Sequence, residues 1–211
     1  MIALLMAVSL LGGQEQPQEN LCVDVRNCRY VGMVEVRANG ETLAMRANAE
    51  LPFVTPQEGL TIMLGESVVI RVEDGRPVVE STSPASEVAD ALLAAEAADE
   101  MLNSGPVDES VAVPIMGTQS PVQAAPPGRV RMTFFQIEGS EDTMLIIENG
   151  YAEKLSLRAH MQTPFQEGRQ YTTTCDILPS HPSLEHWPEP IVFIQLSDFE
   201  FSDDDRRVAC D

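Results

Sequence analysis

The sequence predicts an all-β fold, an antiparallel β-sandwich with one peripheral helix and a proline-rich linker. Two observations carry this. From Thr143 to Met161 apolar and polar residues alternate with period two on either side of Asn149-Gly150, the pattern of strands with one face on a core and one toward water. Short runs rich in Val, Ile and Thr recur before and after that stretch. Turn residues separate them, among them Asn39-Gly40, Asp74-Gly75 and Gly139-Ser140.

Taken in order, residues 1–13 read as a signal peptide. Ile2 to Leu11 is apolar apart from Ser9, too short for the ~20 residues that span a bilayer but suited to a signal-peptide core, and Gly12-Gly13 follows. Gln14 stands where a lipoprotein carries Cys, so no lipidation is expected. Residues 14–28 form a polar lead with a short disulfide loop. Residues 29–82 form a first β-rich module. Arg29–Arg37 and Thr42–Ala47 flank the hairpin signal Asn39-Gly40, and Leu51–Val54 is an edge or a loop because it holds Pro52. Leu60–Leu64, Val68–Val72 and Pro77–Glu80 complete the module, which is small for an independent core.

Residues 83–127 read as an acidic helix followed by the linker. Ser83-Pro84 supplies an N-cap and a first helical proline, and Ser104-Gly105-Pro106 a stop. Val88, Ala91, Leu92, Ala95 and Leu102 give a narrow apolar stripe, and no Lys or Arg occurs from Pro77 to Gly128. The prolines at 106, 114, 121, 126 and 127 make the remainder an extended linker or a loop draped over the sheet.

Residues 128–211 form the second module. Val130–Ile137 leads into the central stretch, where Leu145 and Ile147 oppose Met144, Ile146 and Glu148 across the strand. Leu155, Leu157, Ala159 and Met161 form the apolar face of the next strand, and Asn149-Gly150 is expected to provide positive φ for the reversal between them. The interval to Lys154 is long for a tight hairpin, so a crossing between sheets is an equal option. Gln170–Cys175, Ile191–Leu196 and Phe199–Phe201 close the set. An apolar strand, a polar Asn-containing corner and a second alternating strand resemble the immunoglobulin-like modules of the bacterial envelope. The resemblance implies an all-β, immunoglobulin-like β-sandwich architecture and no particular activity. The stretch from Cys175 to Phe201, with Leu-Pro-Ser, Glu-His-Trp-Pro-Glu-Pro-Ile and Leu-Ser-Asp-Phe, is similar to functionally uncharacterised exported bacterial proteins.

Composition narrows function. A formal charge of −20 over 211 residues disfavours nucleic acid and anionic membrane surfaces, and 44% hydrophobic content is enough for a core. The four cysteines, Cys22, Cys28, Cys175 and Cys210, suit an oxidising compartment, periplasmic or secreted. Of three connectivities, proximity favours Cys22–Cys28, leaving Cys175–Cys210 to clamp the tail. In the chain-entropy model the first contributes about 2 kcal/mol and the second about 4.

Candidate chemistry is sparse. His181, Glu185 and His186 lie with Trp187 in the interval Pro179–Pro190, read as a proline-stiffened loop. Such a set could ligate zinc in a metal-dependent hydrolase. The competing reading is a binding loop, or a loop whose Trp187 plugs the sandwich end. Asp198, Glu200, Asp203, Asp204 and Asp205 could hold calcium, but no ligand-loop spacing accompanies them and Arg206-Arg207 follows at once. No nucleophile elbow, Walker loop, His-Glu-x-x-His or dinucleotide fingerprint is present. The expectation is therefore a non-enzymatic protein without cofactor or membrane span, one that binds or scaffolds another envelope component. Its candidate binding residues are His181, Glu185, His186 and Trp187.

Overall fold

The computed structural model describes residues 22, 27–55, 59–86, 125–179, 182–203 and 210. The predicted signal peptide, most of the acidic helix and nearly all of the linker lie outside them. Among the described residues twelve strands follow one another: β1 (Cys28–Ala38), β2 (Glu41–Pro52), β3 (Val54–Thr55), β4 (Gly59–Met63), β5 (Glu66–Glu73), β6 (Arg76–Pro84), β7 (Val130–Gln136), β8 (Thr143–Asn149), β9 (Lys154–Gln162), β10 (Gln170–Thr172), β11 (Pro182–Trp187) and β12 (Phe193–Ser202). No helix among these residues is long and apolar enough to cross a membrane.

Ten strands make two five-stranded antiparallel sheets, in the orders β10-β9-β12-β4-β3 and β11-β8-β7-β5-β6. Strands β1 and β2 form a separate two-stranded hairpin. The inner faces of the two large sheets share one apolar cluster. Leu60 and Ile62 of β4, Leu155 and Ala159 of β9, and Ile194 and Leu196 of β12 meet Val68 and Ile70 of β5, Met132 and Phe134 of β7, and Leu145 and Ile147 of β8. Because β4 pairs with β12 and β5 with β7, segments 29–82 and 128–211 do not close separate cores.

Local chemistry explains the connections. Asn39 and Gly40 have φ of 53° and 77°, and Asp74 and Gly75 have 51° and 73°. Both pairs make two-residue turns whose twist matches the strands they join. Gly59 has φ of 80°, and a Cβ there would lie 2.2 Å from the Leu196 carbonyl oxygen, so only glycine lets β4 approach β12 this closely.

Three sequence expectations change. Asn149-Gly150 is not a positive-φ turn, since neither residue is among those with positive φ. Strands β8 and β9 belong to different sheets, and the corner is held by side-chain chemistry. Asn149 donates to the carbonyls of Glu153 (2.8 Å) and Ile177 (3.1 Å) and accepts from the Tyr151 N–H (3.0 Å). Gly150 is needed for space: a Cβ there would lie 2.3 Å from the Pro126 carbonyl oxygen. Ser83 and Pro84 do not open a helix; they end β6, opposite Ser67 and Glu66. Pro84 is tolerated because β6 is an edge strand, where a missing N–H faces no partner. The interval holding Glu185, His186 and Trp187 is strand β11, paired along its length with β8, rather than a loop. Cys22 is bonded to Cys28 and Cys175 to Cys210.

Candidate functional site

The residues singled out from the sequence are placed by β11, the edge of its sheet. Successive strand side chains point to opposite faces. Trp187 turns inward, 8% exposed, and joins the core cluster, with its indole N–H donating to Thr172 Oγ1 at 2.7 Å. It acts as a core plug. Glu185 Oε1 accepts from the Cys175 N–H at 3.1 Å. His186 lies on the other face, exposed, with Nε2 3.1 Å from Asp142 Oδ2. The strand therefore separates Glu185 from His186, and His181 lies outside the described residues. Asp198 sits in the β12 bulge, 3.6 Å from Arg158, while Asp204 and Asp205 lie outside the described residues. Among the described residues no group of three or more His, Cys, Asp or Glu could hold a metal ion.

A different site arises where the hairpin crosses the sandwich. The inner face of β1 presents Val31, Val34 and Val36, which pack on Met63 at the end of β4 and Val192 just before β12. Around this small apolar contact the joint is polar. Arg29 Nε lies 2.7 Å from Glu66 Oε1, and Nη2 donates to the Thr61 carbonyl at 3.2 Å. The guanidinium stacks 4.0 Å over the Phe53 ring, a cation–π contact that partly replaces lost hydration. Glu66 also accepts from the Met63 N–H at 2.8 Å. Burial lowers the affinity of Arg29 for its proton, opposed by Glu66. It pushes the Glu66 carboxyl up, opposed by Arg29 and the Met63 N–H. Both partners thus feel desolvation more than mutual attraction, which is why such a pair fixes geometry better than it adds stability. At the hairpin tip, Gln136 accepts from the Arg37 N–H (2.7 Å) and donates to the Arg37 carbonyl (2.8 Å), and Glu141 accepts from the Gly40 N–H (2.6 Å).

Laid this way, the hairpin leaves a groove of about 340 Å³ between itself and the β3, β4 and β12 side of the sandwich. Val34, Met45, Leu51, Met63 and Phe193 supply much of its wall. Arg29, Arg46 and Arg169 also line it, and among the described residues no Asp or Glu does. In a chain with 33 acidic and 13 basic residues, that is a local reversal of charge. Arg29 is deep, with a side chain 10% exposed, whereas Arg46 and Arg169 are exposed. Arg169 donates to the buried Gln195. In this wall Arg29 Nη1 and Thr55 Oγ1 are buried without a hydrogen-bond partner among the described residues.

Comparison with protein-family models, with curated proteins and with solved structures finds no match to this chain. The site is accordingly read from its chemistry. The geometry offers cations over an apolar wall, suited to holding an anionic or polar–apolar partner. Sequence reasoning missed all three arginines. One signal was present: Arg29 shares strand parity with the inward-facing Val31, which marks it as a charge pointing under the hairpin.

Proposed function

We propose that this is an exported protein, periplasmic or secreted, with an immunoglobulin-like sandwich that serves as a non-enzymatic scaffold and binds another cell-envelope component. The groove between hairpin and sandwich carries this reading. It combines an apolar wall and three guanidiniums, with no carboxylate among the described lining residues, in an otherwise acidic molecule. Two disulfides among the described residues and two antiparallel sheets over one core support the address and the architecture. The groove, rather than the β11 residues, is the binding face in this reading. Trp187 is committed to the core, and Glu185 and His186 face apart.

Cross-linking in an envelope fraction tests it. Wild-type protein should capture a discrete component that Ala47→Trp, which fills the groove, fails to capture. Leu184→Lys on the exposed face of β11 should leave capture unchanged. Capture lost with Leu184→Lys and kept with Ala47→Trp would move the binding face to β11. Stoichiometric zinc or calcium in the purified protein would instead favour a metal-dependent hydrolase.

A further inference from the structure

We infer that β2 is an association edge, along which a second copy of the chain pairs antiparallel through its own β2 to make one continuous sheet, β1-β2-β2-β1. This goes beyond the capture of an envelope component and does not depend on the groove. Three observations carry it.

The first is a contrast among edges. An open strand edge is a template for another chain, and folded proteins blunt it with short strands, proline or lysine. The sandwich does so at all four of its edges. Strand β3 has two residues and β10 has three, β6 carries Pro77 and Pro84, and β11 begins at Pro182. Strand β2 runs for 12 residues without lysine, has proline only at its last position, and is exposed over most of its length. Among the described residues its one strand partner is β1.

The second is the direction of the backbone. Arg37 donates its N–H to Gln136 Oε1 (2.7 Å), and its carbonyl accepts from Gln136 Nε2 (2.8 Å), so its backbone groups point away from β2. Thr42 lies opposite Arg37 and therefore points its own away from β1, because pairs in an antiparallel ladder alternate between bonded and non-bonded. The alternation continues through the regular register to Ala44, opposite Glu35, and Arg46, opposite Met33. The N–H and C=O groups of Thr42, Ala44 and Arg46 thus form a row along the open side, and all three residues are exposed. Gln136 caps the matching row on β1 at Arg37; among the described residues nothing caps the row on β2.

The third is that the strand complements itself. Antiparallel pairing centred on Ala44 sets Thr42 of each copy opposite Arg46 of the other, so every outward N–H meets an outward C=O. It also sets Leu43 opposite Met45 on the inner face, the face they share with Val36 and Val34. Met45 is 37% exposed in the single chain, and the second copy's Leu43 covers it. Glu41 precedes Thr42, so Arg46 of each copy adjoins the acidic end of the other strand and unlike charges meet at both ends. Centring on Arg46 would set two guanidiniums face to face. Centring on Thr42 would place the partner of Arg46 beyond the Asn39-Gly40 turn.

Sedimentation equilibrium of the oxidised full chain tests the inference. The wild type should dimerise with a dissociation constant below about 1 mM. Ala44→Pro removes the central outward N–H and no bond to β1, so it should be monomeric and keep the circular dichroism of the wild type. Arg46→Glu should weaken association about tenfold, since two symmetry-related contacts turn repulsive, and Glu41→Arg/Arg46→Glu should restore it. Hydrogen exchange of the wild type gives a reading independent of how any variant folds. As concentration rises through dimerisation, the amides of Thr42, Ala44 and Arg46 should gain more protection than those of Leu43 and Met45, which are already bonded to β1. A chain still monomeric at about 1 mM would overturn the inference. So would a dimer whose amides at Thr42, Ala44 and Arg46 gain no protection, a folded Ala44→Pro that still dimerises, or a charge exchange that fails to restore association.

Discussion

The two large sheets meet across an almost wholly apolar cluster, whereas the hairpin meets the sandwich across a few valines ringed by polar contacts. The first contact includes fully buried Phe134, Leu60, Ile62, Met132 and Ile194. The second depends on Arg29–Glu66, on Gln136 against the Arg37 backbone and on Glu141 at the Gly40 N–H. Apolar packing is cumulative and tolerant of direction; polar contacts are few and directional. The sandwich is therefore the source of stability, and the hairpin is an attached element whose position is specified by a handful of side chains.

Substitutions in the two regions should separate this difference. The largest effect is expected in the shared core. Phe134→Ala and Trp187→Ala should each cost roughly 3–5 kcal/mol in denaturant unfolding, with both sheets lost together. Loss of hairpin signals alone in either variant would contradict a single core. Next is the joint. Glu66→Ala leaves a buried Arg29 without its counter-charge and should cost roughly 3 kcal/mol, the low end for a broken buried pair because Glu66 remains partly exposed. Its decisive readout is the hairpin, where the amides of β1 and β2 should lose hydrogen-exchange protection while near-ultraviolet dichroism of Trp187 is kept.

A smaller, pH-dependent effect concerns Glu148, on the outward face of β8 and 3.3 Å from Arg131. Burial holds its carboxyl above the usual carboxylate range, opposed by Arg131. A folded-state value raised above the unfolded one means that protonation favours folding. That contribution is complete below about pH 4, where the unfolded carboxyl is protonated, and is lost as pH rises through the folded value. Glu148→Gln keeps an acceptor for Arg131 and removes the ionisation. The melting temperature of this variant should match the wild type in acid and exceed it increasingly toward neutral pH. A gap that widens on acidification would contradict the burial. The smallest effect is expected for Gln136→Ala, about 1 kcal/mol for hydrogen bonds at a half-exposed joint.

The same contrast explains what the sequence disclosed. Alternation in Thr143–Met161 and the turns at Asn39-Gly40 and Asp74-Gly75 locate strands because period and turn chemistry are local. Strand β11 was read as a loop because Pro179, Pro182, Pro188 and Pro190 crowd it. Its pairing with β8 is decided by the buried Trp187 and not by propensity. Asn149 and Gly150 carried the right residues with the wrong rationale, since their roles depend on Ile177 and Pro126, which are distant in sequence. The groove left a single local trace, the parity of Arg29 with Val31. Arg29 and Arg46 lie on the two strands of the hairpin, and only its docking on the sandwich brings Arg169 to the same wall.

The central claim, that a separately attached hairpin walls the groove, is tested most directly by hydrogen exchange followed residue by residue in wild type and Gln136→Ala. Amides of β1 and β2 should open at lower free energy than those of β7, β8 and β12, because fewer buried contacts hold them. Gln136→Ala should lower protection in β1 and β2 by about fivefold, the equivalent of about 1 kcal/mol, and leave β8 and β12 unchanged. Equal protection in hairpin and sandwich, or a parallel loss in both on Gln136→Ala, would show that they open as one unit and would contradict the account.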